Sequence, residues 1–318
     1  MADVVLGIDS STQSTKVEAR ELDTGMVLAS ASASHPPTTP PVSEQDPQAW
    51  WSALVQACND LPQPIRDRVG AISVAGQQHG LVLLDDAGTP VRPAKLWNDT
   101  TSASEATALV DALSPDGWAQ AIGSLPVAAF TISKLAWVAN HEPENLARVA
   151  KVMLPHDYLT WCLSGRHVTD RGDASGTGWF DPSTNTYQPE LLDLIGINGA
   201  SWQERLPTVL APDESAGELT LEAARALGLP DGVFVGPGSG DNMGAALGLG
   251  LDVGDLVVSL GTSGVAYARS ATPTSDATGA VAGFADAAGG FLPLVCTLNA
   301  TKVTDTVAQW LGTDAPGL

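Results

Sequence analysis

Residues 4–20 read VVLGIDSSTQSTKVEAR. Val4–Ile8 is a short, apolar, β-branched run, the composition of a strand buried on both faces. Asp9 closes it. Ser10 to Lys16 then reads as a tight polar turn, and Val17–Arg20 as a second strand. A further turn at Asp23-Thr24-Gly25 leads into Met26–Ser34, so the chain opens as a three-stranded meander. The same grammar returns at 256–268, LVVSLGTSGVAYA: a strand at Leu256–Leu260, a turn at Gly261-Thr262-Ser263-Gly264, and a strand at Val265–Ala268. Two such units, one in each part of the chain, predict an α/β protein of two domains.

The stretch between the two hairpins reads as alternating strands and helices. Asp46-Pro47 is an N-cap followed by proline at the first helical position. It opens a helix with Trp50, Trp51, Leu54, Val55 and Cys58 on one face. Ala71–Ala75, Leu81–Leu84 and Val233–Val235 read as strands. Thr101–Leu113, Ser133–Asn140, His156–Leu163 and Leu219–Leu227 read as helices. Asp241 opens a small-residue helix running to Leu249. The second hairpin places a domain boundary near residue 250, dividing the chain into 1–250 and 251–318. The second part adds only a strand at Phe291–Thr297 and a helix at Thr301–Leu311, little for an independent core.

Composition narrows the function. Asp+Glu is 36 against Lys+Arg 15, a formal net charge of −21. That excludes nucleic acid and anionic membrane as main partners, since both require a basic face. Hydrophobic residues make up 44%, too many for a disordered chain. Cys58, Cys162 and Cys296 are widely spaced and odd in number, which gives no disulfide framework and fits reduced thiols in the cytoplasm. The N-terminus has no basic, apolar leader, and the run from Ala245 to Leu260 is broken by Asp252 and Asp255. A cytoplasmic protein is expected.

Four constellations carry chemistry. Asp9, at the carboxyl end of its strand, is read as needing a partner; either it holds Mg²⁺, or Asp9 and the serines form a hairpin of Asx and ST turns. The backbone and hydroxyl groups of Ser11, Thr12, Gln13 and Ser14, with Lys16, suit a phosphate. Gly261, Thr262 and Ser263 form the matching turn. In GPGSGDNMG, 236–244, the glycines let the backbone approach a ligand, and Asp241 is either a helix cap or the general base for a substrate hydroxyl. Gln77, Gln78 and His79, with Trp97, Asn98 and Asp99, offer donors, acceptors and an aromatic wall to a polyol. No histidine pair has zinc-ligand spacing.

Taken in order, these residues resemble the FGGY carbohydrate kinases, and among them the branch acting on xylulose. The resemblance runs from Val5 to about Leu311. It rests on GIDSSTQSTK (7–16), SEQDPQAWW (43–51), VAGQQHGLVLLD (74–85), PAKLWND (93–99), KVMLPHDYLTWCLSG (151–165), TDRGDASGTGWFD (169–181), GSGDNMGAALG (238–248) and SLGTSG (259–264). It implies an actin-like ATPase (ribonuclease H-like) fold with an incomplete second lobe, the family's adenine-binding segment lying beyond Leu318. It also implies ATP-dependent phosphorylation of D-xylulose to D-xylulose 5-phosphate, with ATP and Mg²⁺ as the cofactors. On this chain Asp241 becomes the base, and Asp9 the carboxylate beside Mg²⁺. Gln78, His79 and Asn242 become sugar ligands together with Trp97, Asn98 and Asp99. Thr12 to Lys16 and Gly261 to Ser263 become phosphate ligands. Family members often carry glycine where Ser11 and Ser14 stand, and many carry methionine where Gln78 stands. A catalytically silent sugar-binding fragment, or a kinase for a related ketose or polyol, is the alternative, and a homodimer is left open.

Overall fold

The computed structural model describes residues 2–261, 264–297, 299–314 and 317. The meander forms as expected: β1 (Val4–Ser10), β2 (Ser14–Glu21) and β3 (Val27–Ser34) pair antiparallel, with Asp9 opposite Lys16. The turn is shorter than the sequence suggested. Ser14 and Lys16 already belong to β2. Next comes α1 (Pro47–Asn59), whose first turn is held by the Asp46 carboxylate accepting the Gln48 N–H. It lies against β2 and β3 and buries Trp50, Leu54 and Cys58.

The strand that organises the sheet is β4 (Val69–Gly76). It runs parallel to β1, with Asp9 level with Ala75. On its other side it takes two short parallel strands, β5 (Phe234–Val235) and β6 (Ser239–Gly240). A two-residue strand, Gly217–Glu218, completes the sheet beside β5.

Contrary to the expectation for Val4–Ile8, β1 is not buried on both faces. Val4, Leu6 and Ile8 pack with Val17, Ile72 and Val74 under α1 and under α2 (Pro155–Ser164). Val5 is half-buried, while Gly7 and Asp9 on the opposite face are exposed. β4 shows only Gly70, Ala71, Ser73 and Ala75 on that side, apart from the start of α3 (Asp241–Gly248) packed at Ala75. Small residues and one carboxylate leave a groove where a two-sided strand would have been covered.

The second hairpin begins a separate four-stranded sheet, with β7 (Leu256–Leu260), β8 (Gly264–Ala268), β9 (Ala282–Ala285) and β10 (Phe291–Thr297) in the order β7-β8-β10-β9. Tyr267, Phe284, Leu292 and Leu294 from this sheet join Trp118, Ile132, Leu135, Trp179 and Met243 in one hydrophobic core. Burying such side chains is worth roughly 1.5–3 kcal/mol each, so the junction is firm. A glycine seam lies beside it. The Ser275 hydroxyl donates to the Ala119 carbonyl at 2.6 Å, and the Gly283 N–H donates to the Ser124 hydroxyl at 2.9 Å. The far edge is different: Leu256, Val258 and Leu260 of β7 are exposed, as is Trp310 on the terminal helix Thr301–Leu311. No helix among the described residues is long and apolar enough to cross a membrane.

Candidate active site

The carboxyl end of β4 feeds Gln78 and His79 into a cavity of about 300 Å³. β6 delivers Asp241 and Asn242 to the same cavity, because β6 and β4 are hydrogen-bonded neighbours. Gly240 holds the N-cap position and Asp241 is the first residue of α3. The Asp241 side chain does not cap N3. Its Oδ1 instead accepts the backbone N–H of Asn242 at 2.7 Å and the Asn242 side-chain amide at 2.9 Å. That amide also donates to Gln78 Oε1 at 2.7 Å. Both amide hydrogens of Asn242 are thereby committed, leaving its oxygen and Asp241 Oδ2 for a ligand. Burial, reinforced by Asp173 and Asp9, pushes the Asp241 carboxyl up to about 7.

His79 has φ of 62°, the left-handed region that a non-glycine residue seldom occupies. Its ring packs against Phe130 and Phe284, at 5.5 and 5.2 Å between centroids. Trp97 lines the cavity too, and its indole N–H donates to the Thr12 hydroxyl at 2.9 Å. Thr12 passes its own proton to Gln77 Oε1 at 3.1 Å. The predicted phosphate turn and the predicted sugar wall are thus joined through one hydroxyl.

Asp9 opens onto a second groove of about 610 Å³, which it shares with Lys16, Ser73, Gly238 and Gly244. Asp9 is exposed, and no described residue hydrogen-bonds its carboxylate. The surrounding walls raise its pKa, and Lys16 opposes them. Asp9 and Ser239 flank Ala75 from opposite sides, so two inter-strand steps, roughly 10 Å, separate their backbones.

The remaining predicted residues divide. Ser11 spends its hydroxyl on the turn, donating to the Ser14 carbonyl and accepting from the N–H groups of Gln13 and Ser14. Lys16 sits 3.4 Å from Glu18. Asp99 does not reach the cavity: it is fully buried, accepts from the Ser43 N–H and Thr101, and lies 3.3 Å from Lys95. Asn98 is half-buried and does not line the cavity either. Gly261 uses its carbonyl to accept from the N–H and hydroxyl of Thr301, while Thr262 and Ser263 lie outside the described residues. Sequence reasoning missed the opposite wall of the cavity, Leu125, Val127, Val281, Phe284, Leu294 and Cys296. Apolar side chains carry no signal that separates a wall from a core.

No group of three His, Cys, Asp or Glu side chains among the described residues is arranged to hold a metal ion. A solvent-reachable carboxylate that accepts no hydrogen bond from the described residues does suit Mg²⁺, which keeps its waters and binds through one carboxylate and substrate phosphates.

Residues 4–248 match the N-terminal domain of the FGGY family of carbohydrate kinases. The chain belongs to the FGGY family of carbohydrate kinases. It is 49% identical to the xylulose kinase of Streptomyces coelicolor over 98% of its own length, and 48% identical to that of Streptomyces rubiginosus. The crystal structure of xylulose kinase from Bifidobacterium adolescentis superposes with a TM-score of 0.86 at 40% identity, covering 98% of this chain and 68% of that one. With these FGGY kinases the chain shares the two-lobed, actin-like ATPase fold. It spans 63% of the length of the two Streptomyces relatives.

Proposed function

We propose that this FGGY chain is the sugar-binding and catalytic part of a cytoplasmic xylulose kinase, transferring the γ-phosphoryl group of ATP to a terminal hydroxyl of D-xylulose. The observation that carries the reading is the meeting of Asp241, Asn242, Gln78, His79 and Trp97 in one cavity beside the groove that holds Asp9. No Lys or Arg lines that cavity among the described residues, which favours a neutral polyol over a sugar acid. Gln78 and Asn242 supply amide oxygens, His79 an imidazole, and Trp97 a flat wall for C–H faces. Residues 1–250 form the sugar lobe and residues 251–318 open the ATP lobe. The match of residues 4–248 to the family's N-terminal domain supports that division.

In this reading Asp241 takes the proton of the attacking hydroxyl. A raised pKa keeps it a competent base near neutrality, where proton affinity and availability are balanced. Phosphoryl transfer asks the protein mainly for positioning and charge, and the Gln78–Asn242–Asp241 chain of hydrogen bonds supplies the positioning. Mg²⁺ would be held at Asp9 and would offset the charge of the phosphates. Ser11, Thr12 and Gln13 on the first turn would meet one side of the phosphate chain, with Gly261 opening the segment expected to meet the other.

The test is a coupled ADP-release assay with D-xylulose, beside calorimetry with the sugar and separately with Mg·ATP. Asp241→Asn lowers turnover by roughly 10²–10⁴-fold and leaves sugar affinity near its starting value. Near-native turnover in that variant would remove Asp241 as the base. Sugar binding with no ATP affinity would favour a silent sugar-binding fragment.

A further inference from the structure

Beside His79 lies a buried charge cluster. His156 Nε2 is 3.1 Å from Asp170, 3.3 Å from Asp157 and 3.6 Å from Asp173. Burial opposes a charge on His156, but the three carboxylates outweigh it and hold the imidazole up at about 9. Two of those carboxylates have structural work. Asp157 accepts the Leu154 N–H at the start of α2. Asp170 accepts the N–H groups of Gly172 and Asp173 at the start of a short helix, Arg171–Ala174.

Asp173 caps nothing and turns to His79. Its Oδ1 accepts the His79 backbone N–H at 3.1 Å and lies 3.3 Å from Nδ1 of the same residue. The first contact holds His79 in its left-handed conformation. The second decides where the ring proton sits, because a neutral imidazole carries one N–H and a carboxylate beside Nδ1 selects that nitrogen. Nδ1 is buried and makes no formed hydrogen bond, the Asp173 oxygen at 3.3 Å being the acceptor beside it, while the ring lines the cavity, so Nε2 is the nitrogen left to meet a ligand. Gly176 permits the seating: a Cβ there would lie 1.9 Å from His79 Nδ1.

We propose that Asp173 is a positioning residue that locks His79 in the Nδ1–H tautomer, so that Nε2 accepts a hydrogen bond from a substrate hydroxyl. The assignment rests on the reading of this cavity as the sugar site.

The test is nitrogen-15 spectroscopy of the histidine rings in the ligand-free full chain, with His79→Asn used to assign the His79 signals. The expected spectrum has a protonated, pyrrole-type Nδ1 and a bare, pyridine-type Nε2. Asp173→Asn, whose amide presents N–H groups to one of the two histidines, shifts His79 toward the Nε2–H form and weakens D-xylulose binding roughly three- to tenfold. A resting Nε2–H tautomer in the wild-type protein would overturn the proposal, and that spectrum decides alone if Asp173→Asn does not fold. Because the tautomer is read without ligand, an Nδ1–H ring in a protein that fails to bind D-xylulose upholds the lock and rejects only the sugar reading.

Discussion

Replacing Asp241 with Asn should make the protein more stable in alkaline solution while it disables the site. Burial, with Asp173 and Asp9 adding to it, raises the carboxyl from an ordinary 3.8 to about 7 in the folded chain. The folded state therefore holds this proton more tightly than the unfolded state does. That advantage is complete below pH 3.8, shrinks as pH rises, and is gone above about 7. Each pH step between the two values is worth about 1.4 kcal/mol, which sets a ceiling of about 4 kcal/mol. Asp241 lines an open cavity and is only partly covered, so solvent screening leaves about half of that. The amide keeps the oxygen that accepts from Asn242, so little hydrogen bonding is lost with the charge. Urea unfolding of both proteins at pH 5 and pH 8 makes the comparison. Between the two conditions Asp241→Asn should gain about 1–2 kcal/mol on the wild type. An equal difference at both pH values would refute the argument that the carboxylate is held at a cost in the native state.

The same group sets the pH dependence of turnover: kcat/KM should fall about tenfold per pH step below about 7, and a profile flat down to pH 5 would exclude Asp241 as the titrating base. Trp97→Phe keeps the aromatic wall but removes the N–H that holds Thr12 at 2.9 Å. KM for ATP should rise roughly three- to tenfold with KM for sugar little changed, and the reverse pattern would break the link between wall and turn. Gly283→Ala would set a Cβ 2.1 Å from the Thr274 carbonyl and 2.6 Å from that of Gly123, both backbone atoms. It should cost about 1–3 kcal/mol in urea unfolding, whereas Gly7→Ala, with nothing within 4 Å, should cost less than 1 kcal/mol.

How much of this was legible depended on whether the signal was local. The Asp46 cap, the Trp50 face and the two hairpins are read from neighbours in the chain, and the structure returns them within a residue or two. The meeting of Gln78 with Asp241 came from resemblance, since spacing alone cannot say that β4 and β6 adjoin. Asp99 misled because Trp97 beside it does face the cavity, while Lys95 and Thr101 draw the carboxylate inward. The helix Pro115–Ile122 went unread: it is eight residues long and begins at a serine cap with φ of 69°, too short for a periodic signal. Asp173 stood in a quoted motif without a role, because its partner His79 is 94 residues away. The groove beside Asp9 was hidden for a different reason. A strand of Val, Leu and Ile looks the same from either face until the glycine and alanine opposite it are known to be its neighbours.

The position of β4 also sets an order of assembly. Residues 69–76 pair with residues 4–10 on one side and with residues 234–240 on the other. The first pairing closes a chain loop of roughly 60 residues and the second one of roughly 160, a difference of about 0.9 kcal/mol in closure entropy. Synthesis proceeds from the N-terminus, so β1 to β4 can pair while β5 and β6 are still unmade. The cavity has no floor until Ser239 and Gly240 arrive, because they deliver Asp241 and Asn242. On a nascent chain, the placing of Asp241 would therefore mark the closing of its longest sheet contact, the opposite wall of the cavity following later with Phe284 and Leu294, and a pause before residue 240 would leave β4 with one edge bare.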